Sequence, residues 1–556
     1  MTGLRRCLVA AVVVSVVGAQ DVVVSGVETD ALLTSAARGE TESLAFCVFA
    51  KQAVSGLEVV AGDLSGPPGA RIPIAISEVE QAPPRLRPLA GPLDLKPETT
   101  RQFWITLKVP LEAAPGDYLG TILLRPAGRK LSLRVKVLPF RLDPPGEPFF
   151  GIFLNPRFLP TLAELQDLKE RGFDALLWFW GHYGLRPVNE QGRLSMDFAD
   201  LDRFLERVKA AGLKGPIVLA LGNDSVGHYE RALAQAFGLP LAPQVRGPKG
   251  RSPKVTGDLR DEKLNDLYLE GLRQLIQHGR ERGWPELVLL PYDEPTEQLM
   301  EEYRHRTELI RRNLPGVRIY GVTMDRLAWA EEVVAHSDIL VANGDFERIA
   351  GLARARQRGY WTYGSVAARD SFGAARFRYG LAHWRHRSQG IWFWGYNWYR
   401  GNPYEEIAWA IVYPPRPGEG DKPISTPAFE GMREGIDDVR YATTLERLIR
   451  EKPSERAKEI HASLERLRAD WASVSQEQAL QGNRMNGFRS QAAEWIMELQ
   501  TQVGRSPRTA PDAPVRPRPD QGIGPRARAP APHSRLLAEQ ETRSSSRCLR
   551  CAPSAA

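Results

Sequence analysis

The stretch ELVLLPYDEP, residues 286–295, is a short apolar run that ends in two acids side by side, Asp293 and Glu294, followed at once by Pro295. A run of this length with a proline at its end reads as a buried strand. Seven more runs read the same way: FFGIFLNP (149–156), FDALLWFWG (173–181), GPIVLALGN (215–223), RIYGVTM (318–324), DILVANG (338–344), YWTYGSV (360–366) and GIWFWGYNW (390–398). Between most of them lie segments with apolar residues at three- and four-residue steps, such as TLAELQDLKERG (161–172), which is helical spacing. Eight strand–helix units within 149–427 predict a (β/α)8 TIM-type barrel, whose active sites lie at the C-terminal ends of the strands.

The flanking segments follow other rules. Residues 20–142 carry short alternating runs such as ESLAFCVFA, RQFWITLKV and RKLSLRVKVLPFRL between Gly and Pro punctuation, which predicts an antiparallel β-sandwich. DPPGEP (143–148) reads as a linker, and 428–503 as helices packed beside the barrel. The Pro- and Arg-rich stretch 504–556 lacks periodicity and is expected to be a disordered tail. At the other end, Arg5 and Arg6 precede an apolar run from Cys7 to Val17 and small residues up to Ala19. That pattern reads as a signal peptide over 1–19, predicting a secreted or periplasmic protein with no stable membrane insertion.

The net charge of +7 is not a mark of nucleic-acid binding, because residues 504–556 alone hold ten Arg against four acids and the predicted signal adds two Arg. The body is therefore close to neutral, and no nucleic-acid partner is expected. Of the four cysteines, Cys47 lies in an apolar strand-like run and Cys548 and Cys551 form a single CxxC in the tail, so neither a disulfide framework nor a metal site is assigned. His383 and His386, interleaved with Arg385 and Arg387, read as a solvated helix face. No HExxH, Walker loop, GxSxG or dinucleotide fingerprint occurs, and no cofactor is expected.

Chemistry is sought at the strand ends. Trp180, His182, Tyr292, Asn343, Tyr363, Trp392, Trp394 and Asn397 are the candidates for ligand contact. Aromatic faces with scattered amides and acids suit a sugar, whose C–H faces stack on rings while its hydroxyls need donors and acceptors. The expected partner is thus a glycan or glycoconjugate.

Asp293 and Glu294 could serve a helix beginning at Pro295, where an acid favours the helix dipole. Glu is a poor N-cap, however, and one cap would suffice. A retaining glycosidase needs a nucleophile and an acid/base about 5 Å apart on opposite sides of the reacting bond. YWTYGSV, the seventh strand, offers no carboxylate before Asp370. Substrate-assisted hydrolysis removes the need, because the 2-acetamido group of the sugar acts as nucleophile. The protein then needs one acid for the leaving oxygen at C1 and one carboxylate for the amide at C2. Adjacent negative charges in a partly dry pocket repel, so Glu294 is expected to hold the proton as general acid while Asp293 stays ionised.

With barrel and acid pair in place, the chain resembles glycoside hydrolase family 123, the β-N-acetylgalactosaminidases and their exported relatives. The resemblance runs over about residues 30–445 and is carried by SAARGETESLAFCVFAKQAVSGLEVVAGDL (35–64), PGDYLGTILL (115–124), LPYDEP (290–295), GIWFWGYNW (390–398) and PISTPAFEGMREGIDDVRY (423–441). It implies a β-sandwich followed by a (β/α)8 barrel, with Asp293 orienting the acetamido group and Glu294 as acid/base. The corresponding activity is removal of terminal β-linked N-acetylhexosamine, GalNAc first. Two other readings stay open: a glycosidase for sugars without the acetamido group, pairing Glu294 with Asp325 or Asp345, and a non-catalytic carbohydrate-binding protein.

Overall fold

A computed structural model of the chain describes residues 22–25 and 31–501, except 68, 82–83, 156, 181–184, 223–226, 241–260, 296–299, 325–328, 400, 405–408, 417, 419 and 482. The N-terminal strands are β1 (Val22–Ser25), β2 (Ala31–Arg38), β3 (Thr41–Ala50), β4 (Val54–Ala61), β5 (Leu64–Ser65), β6 (Arg71–Ile72), β7 (Ile74–Gln81), β8 (Pro84–Pro88), β9 (Leu93–Leu95), β10 (Thr99–Lys108), β11 (Gly116–Arg125) and β12 (Arg129–Arg141). They form two sheets, one in the order β1-β3-β10-β7-β8 and one in the order β2-β12-β11-β4-β9, with β5 paired to β11 and β6 to β5. In β12 burial alternates residue by residue, so Leu131, Leu133, Val135 and Val137 share a core with Phe46, Val48, Phe103 and Ile105 of the facing sheet. One pair departs from the antiparallel expectation: β2 runs parallel to β12.

Eight parallel strands then close a barrel: β13 (Phe149–Phe153), β14 (Ala175–Phe179), β17 (Ile217–Ala220), β18 (Leu287–Leu290), β19 (Arg318–Met324), β20 (Ile339–Asn343), β21 (Gly359–Ser365) and β22 (Gly390–Trp394). Two short strands, β15 (Arg186–Glu190) and β16 (Arg193–Asp197), form a hairpin after β14. Its turn residues Gln191 and Gly192 both have positive φ, at 54° and 90°, as a two-residue hairpin turn requires.

The barrel's helices are α1 (Leu162–Glu170), α2 (Ala199–Ala210), α3 (His228–Phe237), α4 (Glu262–Arg282), α5 (Met300–Asn313), α6 (Ala330–His336), α7 (Phe346–Ala355), α8 (Phe372–Tyr379) and α9 (Leu381–Trp384). Helix α1 starts at a capping box, in which Thr161 and Glu164 satisfy each other's backbone N–H groups. Helix α3 lies inside the segment after the third strand that reads from sequence as one long connection. The barrel interior is filled by alternate strand residues, among them Ala175, Leu177, Phe179, Val288, Leu290, Tyr320, Trp361 and Trp392. Their sequence neighbours Leu176, Trp178 and Leu289 pack outward against the helices.

Four helices complete the chain: α10 (Pro427–Glu451), α11 (Glu455–Ala472), α12 (Gln476–Leu480) and α13 (Arg484–Thr501). Gly431 and Gly435 let α10 close on α8, where an added Cβ would collide with the carbonyl oxygens of Phe372 and Arg376. Several polar residues of α10 are buried, among them Glu430, Arg433, Glu434, Asp437 and Asp438. Arg433 donates to Ser43 Oγ at 2.8 Å and Glu434 Oε1 at 2.7 Å. Arg489 of α13 reaches Glu42 (2.5 Å), Glu434 (2.8 Å) and Asp438 (2.9 Å), and Arg376 of α8 grips Asp438 through two nitrogens at 2.6 and 2.7 Å. This network fastens the sandwich, through Glu40 and Glu42, to the helical layer of the barrel. Burial pushes the Glu40 carboxyl up to about 7. Burial also opposes ionisation of Glu434, but Arg433 and Arg489 outweigh it and hold that carboxyl at about 2.

The histidine pair is corrected. His383 and His386 are buried, their rings beside Phe346, where a solvated face was expected. Burial, with the neighbouring His386 and Arg385, lowers His383 to about 3, so it stays neutral. Among the described residues, no helix is long and apolar enough to cross a membrane.

Candidate active site

Strand β18 delivers the acid pair. The Leu221 N–H donates to Leu290 O at 2.8 Å and the Asp293 N–H to Gly222 O at 3.1 Å, so pairing with the neighbouring segment continues just past the strand. Tyr292 is turned outward: its ring belongs to the buried cluster of Met300, Tyr303 and Val333, and its hydroxyl donates to Glu230 Oε1 of α3 at 2.8 Å. In an extended chain Asp293 would then face the barrel and Glu294 would face away again. Glu294 instead takes a left-handed backbone conformation, φ 47°. For a residue with a Cβ this costs about 1–2 kcal/mol, so the surrounding contacts must hold it.

Those contacts come from the next strands round the mouth. The Tyr363 hydroxyl of β21 and the Asn343 amide of β20, the latter at 3.2 Å, both donate to Glu294 Oε1. Two donors on one oxygen fix the carboxylate plane and leave Oε2 for proton exchange. Both acids also bear on the same two phenols. Burial, then the charges of Asp293 and Glu294, push the hydroxyls of Tyr320 and Tyr363 far above their usual range. Both phenols therefore stay protonated and can act as donors toward the pair. The turn at Glu294 thus defeats strand alternation and brings two adjacent carboxylates to one side.

An aromatic wall continues from Tyr363. Its ring lies 5.6 Å from Phe153, which lies 5.3 Å from Trp394, and Trp394 lies 4.1 Å from Trp398. Phe179 approaches Trp394 from β14 at 6.2 Å. Trp394 and Trp398 remain partly exposed, so their faces are available at the mouth.

Of the residues expected at the site, the structure gathers Asp293, Glu294, Asn343, Tyr363 and Trp394. Four others serve elsewhere. Trp180 shares the outward side of its strand with Trp178 and packs 4.2 Å from Tyr229, not on the mouth. Tyr292 points to Glu230, as above. Trp392 is fully buried inside the barrel, 5.8 Å from both Phe149 and Trp361 and 6.1 Å from Phe153. Asn397 is buried with its amide spent, accepting from the Asn155 N–H at 2.7 Å and donating to Phe158 O at 2.8 Å. His182 and Asp325 lie outside the described residues. Asp345 is exposed at the start of α7, in a left-handed conformation.

Tyr320, Phe153 and Phe179 belong to the site region and were not singled out. Strand parity could have found all three, since each shares the inward side of its strand with other interior residues. Among the described residues no group of three or more His, Cys, Asp or Glu is placed to hold a metal ion.

Residues 187–445 match the family model described as the catalytic domain of glycoside hydrolase 123. No curated protein matches the chain. Among solved structures, a family 123 glycoside hydrolase from Clostridium perfringens, analysed for the details of glycolipid glycan hydrolysis, aligns with a TM-score of 0.62 at 14% identity. The alignment covers 85% of this chain and 94% of that one, a likeness of fold. The endoglucanase Cel5A of Pseudomonas stutzeri aligns over 53% of this chain and 96% of its own, with 13% identity and a TM-score of 0.35.

Proposed function

We propose that the protein, whose residues 187–445 match the catalytic-domain model of glycoside hydrolase 123, removes terminal β-linked N-acetylhexosamine, GalNAc in preference, from a glycan or glycoconjugate by substrate-assisted retaining hydrolysis. The observation that carries this is the convergence of Asp293 and Glu294 through the left-handed turn at Glu294. Two catalytic carboxylates of the usual retaining kind must flank the reacting bond from opposite sides, which sequence neighbours on one strand end do not do. They suit two tasks on adjoining atoms of one sugar.

In the first step Asp293 accepts the acetamido N–H and aligns the carbonyl oxygen below C1. That oxygen bonds to C1 as the C1–O bond to the aglycone breaks, and Glu294 Oε2 gives its proton to the departing oxygen. Asp293 stabilises the positive charge of the oxazolinium ring. Glu294, now ionised, takes a proton from water as the water oxygen attacks C1, which reopens the ring with net retention and restores the proton. Tyr363 and Asn343 keep Glu294 Oε1 in place through both steps. Trp394 and Trp398 offer the stacking face. The basic and apolar N-terminal stretch supports action outside the cytoplasm.

Turnover of 4-nitrophenyl β-GalNAc, β-GlcNAc and β-galactoside by the purified protein tests this. The expected order places β-GalNAc first, β-GlcNAc second and the galactoside near background. Cleavage of the galactoside alone would contradict it, and a folded protein that binds these sugars without cleaving any would point to a carbohydrate-binding role.

A further inference from the structure

Behind the acid pair lies an ion pair sealed from solvent. Glu230 of α3 and Arg306 of α5 are both buried, with Arg306 Nε 3.2 Å from Glu230 Oε1. The Arg306 guanidinium also donates to Asn265 Oδ1 at 2.5 Å and stands 4.8 Å from the ring centre of Tyr268, both on α4. Glu302, one turn before Arg306, is pushed up to about 8 by burial and by the charge of Glu230. At neutral pH it is mostly uncharged, so it adds little charge beside Glu230 and Arg306.

A buried ion pair gives little net stability over an apolar packing of the same volume, so its value lies in what it positions. Here Glu230 Oε1 carries a second contact, the hydroxyl of Tyr292 at 2.8 Å. Tyr292 immediately precedes Asp293. Helices α3 and α5 follow the third and fourth barrel strands, so the ion pair joins the elements on either side of the acid-bearing segment. Burial first, then Glu230 and Glu302, push the Tyr292 phenol far above its usual range, so it remains a donor to this carboxylate.

We infer that Glu230 and Arg306 are positioning residues for the acid pair, with Tyr292 as the peg between them. This rests on the reading of Asp293 and Glu294 as catalytic. With the Tyr292 side chain pinned outward, alternation sends Asp293 inward, and the strained turn at Glu294 cannot relax by rotating the preceding peptide.

Tyr292→Phe removes the peg's hydroxyl and keeps its ring. Tyr303→Phe is the matched control, losing a 2.8 Å contact with Ser337 Oγ in the same buried cluster, away from the pair. Tyr292→Phe should lower kcat on 4-nitrophenyl β-GalNAc by about a hundredfold, the scale of a small displacement of catalytic groups. KM should change little, because the loss falls on the transition state. Tyr303→Phe should keep wild-type kcat despite a similar fall in melting temperature. Unchanged kcat in Tyr292→Phe, or equal losses in both variants, overturns the inference. Should the wild type cleave no glycoside, the proposed function fails while the positioning claim is still decided by crystal structures of wild type and Tyr292→Phe. The variant is expected to lose the Tyr363 and Asn343 contacts to Glu294, and an unmoved acid pair overturns the inference.

Discussion

Glu294→Gln is expected to lower kcat/KM on a methyl β-N-acetylhexosaminide by about 10²–10⁴-fold, the usual worth of a general acid. The same substitution should cost far less on the 2,4-dinitrophenyl glycoside of the same sugar. An alkoxide cannot leave without a proton, whereas dinitrophenolate can. Because kcat/KM reports only steps up to the first irreversible one, the later role of Glu294 as a base does not blur the comparison. Glutamine preserves the shape of the side chain and an oxygen that can accept from Tyr363 and Asn343, so the left-handed turn should survive. Parallel losses on both substrates would mean that Glu294 acts in some way other than as a proton donor. No loss on either would remove it from the chemistry.

The second large effect is on stability. Arg489→Met is expected to destabilise the protein by about 3–5 kcal/mol, the cost of removing one partner from a buried charge cluster. Glu42, Glu434 and Asp438 would then stay buried without their shared cation. Lys108→Met is the comparison. Lys108 on β10 and Glu170 on α1 also bridge sandwich and barrel, at 3.2 Å, but both side chains are well exposed. An exposed pair of this kind is worth about 0–1 kcal/mol. Urea unfolding of the two variants separates the cases, and similar midpoints would show that the buried network does not fasten the two parts together.

These two effects also mark where the sequence was and was not legible. The eight apolar runs predicted eight barrel strands, and every one is present, because a strand buried on both faces leaves a continuous apolar signature. β2, ALLTSAAR, lacks that signature, its apolar run being broken by Thr34, Ser35 and Arg38, and its parallel pairing with β12 went unforeseen. In EGMREGIDDVRY the many charges suggest a solvated helix, yet Glu434 and Asp438 are buried because their partners come from α8, α13 and the sandwich, distant in sequence.

The site was legible by residue type and not by direction. Asp293, Glu294, Asn343, Tyr363 and Trp394 meet because strand ends converge in a barrel, a rule of the fold. Trp180 and Trp392 are as aromatic as Trp394, and only their place along the strand decides that one packs outward and the other is buried in the barrel interior. Nothing in the letters PYDEP announces a left-handed glutamate, since that conformation favours Gly, Asn and Asp. The turn is imposed by Tyr363 and Asn343, more than 45 residues away in sequence.

The central claim is that the 2-acetamido group of the substrate is the nucleophile. It is tested most directly with 4-methylumbelliferyl β-GalNAc and its mono-, di- and trifluoroacetyl analogues. Each fluorine weakens the carbonyl oxygen as a nucleophile while leaving the aglycone unchanged. With the acetamido oxygen as nucleophile, kcat/KM falls steadily across the series, by a large factor from acetyl to trifluoroacetyl; rates independent of fluorination would show that this oxygen does not attack C1.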